Sequence, residues 1–135
     1  MCLANAGLGV VHGIAAPLGG MLGAPHGAVC ARLLPSVMRV NLRATRSRAP
    51  ESPALRKMDE IARVLTGHSE ATAMQGVEWI TTLSETLSIP PLVTYGLTRA
   101  HIPALVQKAM LASSTRGNPV VLEAKELAEA IDNAM

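Results

Sequence analysis

The sequence predicts an all-α fold, a helical bundle of about six helices, and three observations carry that expectation. Aromatic residues make up 1% of the 135-residue chain and Phe is absent, while 49% is hydrophobic, so the core must be built from Leu, Ile, Val, Ala and Met. Strands draw on aromatic and β-branched side chains, whereas this palette suits closely packed helices. Apolar residues recur at helical spacing in successive windows, and Gly and Pro punctuate the intervals between them. The length fits one domain with a real core, and no internal repeat or second boundary divides residues 1–135.

Met1 to about Ala16 reads as a helix apolar on nearly all sides, with Gly7 and Gly9 letting a neighbouring backbone come close. Such a helix must be covered all round. Its position at residue 1, where a domain seldom places its most buried element, suggests that the chain lacks its beginning. Pro17, Gly19, Gly20, Gly23 and Pro25 then give the chain the means to bend. Gly27 to about Asn41 forms a second helix on Val29, Cys30, Leu33, Leu34, Val37 and Met38, which Pro35 should kink or divide.

Arg39 to Lys57 reads as a solvated basic loop. Ser52 or Glu51 opens a third helix with Pro53 near its first position, buried through Leu55, Met58, Ile61, Ala62 and Leu65, and Gly67 stops it. Ser69 is the expected N-cap of a fourth, with Met74, Val77, Ile80, Leu83 and Leu87 inward, Ser84 as a polar interruption and Trp79 in core or interface. Ile89-Pro-Pro-Leu ends it. Thr98 caps a fifth helix on Ile102, Leu105, Val106, Ala109 and Met110, closed by Gly117-Asn-Pro, and the last begins after Leu122 with Leu127, Ala128 and Ile131 inward.

Two of the four histidines, His12 and His26, flank the bending segment. On an unbroken helix they would lie roughly 21 Å apart at about 1.5 Å per residue, too far to share an ion. A bend can bring both imidazoles to one point. Neutral imidazole is a good ligand for iron or zinc, but a catalytic site ordinarily has three or more protein ligands. The nearest addition is Cys30, four residues after His26 on the same helix face and read here as a packing residue. His68 and His101 look exposed and do not resemble ligands.

His12-Gly-Ile-Ala, Pro17-Leu-Gly-Gly, Ala24-Pro-His26-Gly, Leu34-Pro35, Val37-Met38 and Asn41 together resemble the signature of the iron-containing (group III) alcohol dehydrogenases. Leu87-Ser-Ile-Pro-Pro-Leu, Gly96-Leu-Thr and Gly117-Asn-Pro extend the similarity over nearly the whole chain. The resemblance implies a dehydroquinate-synthase-like C-terminal helical domain, preceded in the full enzyme by a nucleotide-binding domain with a parallel sheet. It implies Fe²⁺ (or Zn²⁺) as a Lewis acid, NAD(P) as hydride partner and a small-molecule alcohol or aldehyde as substrate. It makes His12 and His26 half of the metal-ligand set, completed by an Asp and another His from an upstream motif that nothing here matches.

The sequence also departs from that family. Ala16 stands where many members carry a further His, and Val120 follows the Asn-Pro step where Arg is common. Ser113 and Ser114 fall near the substrate by analogy, though helix-end polar residues are the simpler reading. No Gly-rich phosphate loop follows a strand, so the chain alone is not expected to hold NAD(P) or to be active.

Charge narrows the partners. A formal net charge of +2 is too small to imply nucleic acid, and no aromatic residues interleave the basic segment for base stacking. Cys2 and Cys30 form no Cys-x-x-Cys pair and no secretory leader is legible, which points to the cytoplasm. The stretch from Cys2 to Ala31 lacks charge, but Asn5, His12, His26 and two prolines argue against a membrane span. A homo-oligomer is expected. The competing class is a non-catalytic helical oligomerisation module driven by an exposed first helix.

Overall fold

The computed structural model describes residues 8–135. Six α-helices appear among them, with no strand: α1 Val10–Leu22, α2 His26–Arg48, α3 Pro53–Thr66, α4 Ala73–Thr86, α5 Ile102–Leu111 and α6 Ala124–Asp132. Three 3₁₀ turns, Leu92–Tyr95, Arg99–His101 and Ser113–Gly117, join the later elements. The all-α expectation holds. The part of the expected first helix before residue 8 lies outside the described residues.

Both N-terminal helices run longer than their prolines suggest. Pro17 lies inside α1 and Pro35 inside α2, each removing one backbone donor. A proline in a helix interior costs about 3 kcal/mol, whereas one fully buried Leu, Ile or Val returns about 1.5–3 kcal/mol. Ile14, Ala15 and Leu18 on α1 and Leu33, Val37 and Val40 on α2 are all buried, so packing outweighs the breaks. The reversal is confined to residues 23–25. Gly23 takes φ 67°, a left-handed cap whose N–H donates to Gly19 O at 2.8 Å. Gly19 and Gly20 stay helical instead of bending.

The basic segment is not a loose loop over its first half. α2 continues to Arg48, and Arg43 and Arg48 reach acids of α6 and its cap. Arg43 holds both oxygens of Glu129 at 2.7 and 2.6 Å, and Arg48 holds those of Glu126 at 3.0 and 2.9 Å. Partners so distant in sequence leave no local trace.

α3 begins at Ser52, whose hydroxyl accepts from Ala54 N, and ends at Gly67 with φ 73°, both as expected. Of its expected stripe only Ala62 is fully buried, and Ile61 is exposed. α4 starts three residues later than expected, at Thr72, where a capping box forms with Gln75, whose Oε1 accepts from Thr72 N at 2.8 Å, and where Ala73 N donates to Asp59 Oδ1 of α3 at 2.7 Å. Its buried face is Ala73, Gly76, Val77, Ile80 and Ser84, so Leu83 and Leu87 turn outward and, of the core or interface expected for Trp79, its exposure excludes the core of this chain. Gly76 explains the rotation. A Cβ there would lie 2.8 Å from Ala62 Cβ, so α4 presents its bare backbone to α3.

Thr98 opens a 3₁₀ turn before α5, and α5 ends at Leu111, ahead of Gly117, with Met110 exposed instead of inward. α1 packs against α2, α5 and the 113–117 turn but leaves Ala16 and Gly20 exposed instead of being covered all round, and α6 closes the bundle against α2 and α5. Ile14, Leu18, Leu33, Leu92, Leu105, Leu127 and Ile131 form its centre. No helix among the described residues is long and apolar enough to cross a membrane.

Candidate metal centre

The tight turn at residues 23–25 sets the site. Ala24 is buried, and its carbonyl lies close to where a Gly19 side chain would be, so the turn runs back beside α1 and starts α2 next to it. His12 stands in the first turn of α1 and His26 is the first residue of α2. Their ring centroids are 5.4 Å apart, with the planes tilted by 48°. The fold thus brings together the two imidazoles that the sequence singled out.

It adds a third side chain. The Cys30 Sγ lies 3.4 Å from His26 Nε2, and one donor atom each from His12, His26 and Cys30 fall within 4.8 Å of one another. Cys30 packs against the edge of the core, as read from the sequence, and its offset of four residues from His26 also sets it beside that ring. Cys30 is half-buried and free, and burial pushes its thiol pKa up. Nitrogen and sulfur donors in this number suit a borderline divalent ion.

The cluster borders a cavity of about 510 Å³ lined by Val10, Val11, His12, Cys30, Leu34, Val37, Met38, Asn41 and Asn118, among others. Its wall is mostly apolar, with the imidazole of His12 and the thiol of Cys30 along it. Asn118 ties three segments together there. Its Oδ1 accepts from Val10 N at 3.3 Å and from Asn41 Nδ2 at 3.2 Å, and its Nδ2 donates to Asn41 Oδ1 and to Val120 O, each at 2.7 Å. The start of α1, and with it His12, is therefore fixed by a residue from the far end of the chain.

Glycines permit that approach. A Cβ on Gly13 would overlap Thr115 Oγ1, and one on Gly117 would overlap Leu8 O. At Gly9, where close approach of a backbone was expected, the near neighbour is a side chain, a Cβ there lying 3.2 Å from Asn118 Oδ1. Gly7 lies outside the described residues.

The other histidines stand apart. His68 is exposed in the turn after α3. His101 is half-buried, where exposure was expected, because its Nδ1 accepts from Thr98 N at 3.1 Å and caps the turn before α5. Ser113 is exposed and Ser114 half-buried in the 3₁₀ turn, and Ala16 is exposed. Among the described residues no strand or Gly-rich phosphate cradle is present, so they do not fit a nicotinamide dinucleotide.

Residues 1–135 match the sequence profile described as "Fe-containing alcohol dehydrogenase family, C-terminal". The chain is 38% identical over 125 residues to lactaldehyde reductase of Escherichia coli (strain K12), which covers 88% of this chain and 30% of that protein. It is 33% identical over 135 residues to 1,3-propanediol dehydrogenase of Citrobacter freundii, covering 96% of this chain and 33% of that protein. The chain thus spans about a third of the length of these relatives. Among solved structures, alcohol dehydrogenase from Oenococcus oeni superposes with a TM-score of 0.78 at 28% identity, over 98% of this chain and 34% of that one. A 1,3-propanediol oxidoreductase superposes with a TM-score of 0.76 at 28% identity, over 95% of this chain and 33% of that one.

Proposed function

The chain belongs to the Fe-containing alcohol dehydrogenase family, as its C-terminal helical part, and from that premise we propose that it is the metal-binding portion of an NAD(P)-dependent enzyme that oxidises small alcohols or reduces the matching aldehydes. The observation that carries the reading is the convergence of His12 and His26, residues from two helices, beside an apolar cavity.

On this reading His12 and His26 hold Fe²⁺ or Zn²⁺. When bound, the ion supplies Lewis-acid chemistry, lowering the pKa of the alcohol and stabilising developing negative charge on its oxygen. The chain's own residues do the rest. Val10, Leu34, Val37 and Met38 line the cavity, take up the carbon skeleton of the substrate and keep water from it. The Asn118 bonds to Val10 N and Asn41 hold the backbone of the first turn of α1, which carries His12. NAD(P), as hydride partner, belongs to the reading of the whole enzyme, and no step through it is assigned to the described residues.

The substrate class follows the names of the relatives, lactaldehyde and 1,3-propanediol being small oxygenated three-carbon compounds. A cytoplasmic location accords with the free Cys30 thiol. A homo-oligomer accords with the large apolar side chains that Val64, Leu111 and Val121 expose.

The test is the metal content of the purified chain after anaerobic incubation with Fe²⁺ or Zn²⁺. Near one ion per chain, lost in both His12→Ala and His26→Ala, supports the reading. Uptake unchanged by both substitutions in folded protein overturns it.

A further inference from the structure

We propose that Cys30 is a ligand in its own right, making the centre carried by this chain a two-histidine, one-thiolate site that favours Zn²⁺ or Co²⁺ over harder ions. The inference rests on the reading of His12 and His26 as metal ligands and adds a donor to it.

The geometry supports the addition. His26 and Cys30 sit one turn apart on α2, so their side chains stand side by side on one face. A zinc-type ion bonded to nitrogen at about 2.1 Å and to sulfur at about 2.3 Å, at a tetrahedral angle, holds the two donors about 3.6 Å apart. The observed separation of 3.4 Å already lies near that value. His12 completes a group whose donor atoms all lie within 4.8 Å of one another, so one ion can reach all three with small side-chain movements. No carboxylate belongs to this group.

Donor chemistry sets the selectivity. Thiolate is a soft ligand and imidazole a borderline one, a pairing that suits Zn²⁺ and Co²⁺ and disfavours oxygen-seeking Mg²⁺ and Mn²⁺. On binding, the Sγ–H proton leaves to solvent and a sulfur lone pair forms the metal bond, with no change in oxidation state. The three donors of this chain leave the remaining coordination positions to ligands outside it and to the substrate oxygen.

Co²⁺ added anaerobically to the full chain tests this, because cobalt reports its ligands in its absorption spectrum. Wild-type protein is expected to bind about one equivalent, with a near-ultraviolet sulfur-to-cobalt charge-transfer band and visible ligand-field bands. Cys30→Ser should abolish the near-ultraviolet band, keep visible bands from the imidazoles and weaken binding at least about tenfold, since even outer-shell changes cost about 10–100-fold. Cys2 lies outside the described residues, and Cys2→Ser should leave the band intact. Cobalt bound through His12 and His26 with no charge-transfer band, or with a band lost only in Cys2→Ser, overturns the proposal while the histidine reading stands. No binding by a chain with an intact helical circular-dichroism spectrum overturns both.

Discussion

Asn41 and Asn118 exchange amide hydrogen bonds in both directions, Asn118 Nδ2 donating to Asn41 Oδ1 at 2.7 Å and Asn41 Nδ2 to Asn118 Oδ1 at 3.2 Å. The pair joins the middle of α2 to the segment after α5, and Asn118 Oδ1 also accepts from Val10 N at the start of α1. Asn41 is buried, so water does not replace a lost partner readily. Asn118→Ala should cost about 1–3 kcal/mol for the stranded amide, read as a lower midpoint in urea. An unchanged midpoint would show that solvent reaches Asn41. The same substitution should weaken metal uptake, because the helix end carrying His12 loses its tether.

Gly76→Ala sets two effects against each other. Helix propensity favours the change by about 1 kcal/mol. The added methyl, however, meets Ala62 Cβ at 2.8 Å and Ala62 Cα at 3.0 Å, where neither side chain nor backbone can give way cheaply, and overpacking costs about 1–3 kcal/mol. The net expectation is destabilisation of the α3–α4 pair. Thermal unfolding decides the sign, and a raised midpoint would mean that the two helices are free to separate.

Acid should loosen the junction between α2 and α6. Burial alone would raise the Glu126 pKa, but the Arg48 hydrogen bond, the Glu123 N–H and the charges of Arg48 and Arg43 together hold it below the ordinary carboxylate value. The Arg43 hydrogen bond does the same for Glu129 against desolvation. A carboxylate whose folded pKa is depressed stabilises the fold above its unfolded pKa of about 4.3 and loses that contribution as pH falls through the lower folded value. Stability should therefore decline below about pH 4.5. Glu126→Gln should flatten the decline, and a denaturation series over pH 2–7 in both proteins measures it. The Arg43–Glu129 share should shrink further in salt, since both side chains are well exposed.

Metal should stabilise the bundle on the reading proposed above. An ion that binds only the folded chain adds about 2.7 kcal/mol at a hundredfold excess over its Kd, roughly a 10 °C rise in midpoint for a chain of this size. Zn²⁺ should produce that shift in the wild type and not in His26→Ala. An equal shift in both would place the binding elsewhere.

What the sequence made legible was local. Ser52 and Gly67 bound α3 as expected because their caps are made with neighbouring residues. The meeting of His12 and His26 was legible because three residues make the reversal. Most failures are long-range, although Thr72 and Gln75 form a local capping box that the choice of Ser69 passed over. Asp59 of α3 supplies an acceptor to Ala73 N at the start of α4, and α2 passes Asn41 because its arginines find acids far along the chain. The inward face of α4 turned because Gly76 is where two helices touch, a fact invisible to a count of apolar residues. Asn118, read as part of a helix stop, proved to be the tie between α1 and α2.

The short reversal at residues 23–25 also has a bearing on the order in which the molecule is made. A loop this small costs little entropy to close, so α1 and α2 can pair as soon as both have been synthesised. Asn118 follows His26 by 92 residues, which at about 5–20 residues per second is roughly 5–20 s of translation. For that interval the two imidazoles can meet on a nascent chain whose tether has not yet been made. Ion capture at the ribosome would then precede completion of the bundle, and stalled chains ending before Gly117 should already retain metal if it does.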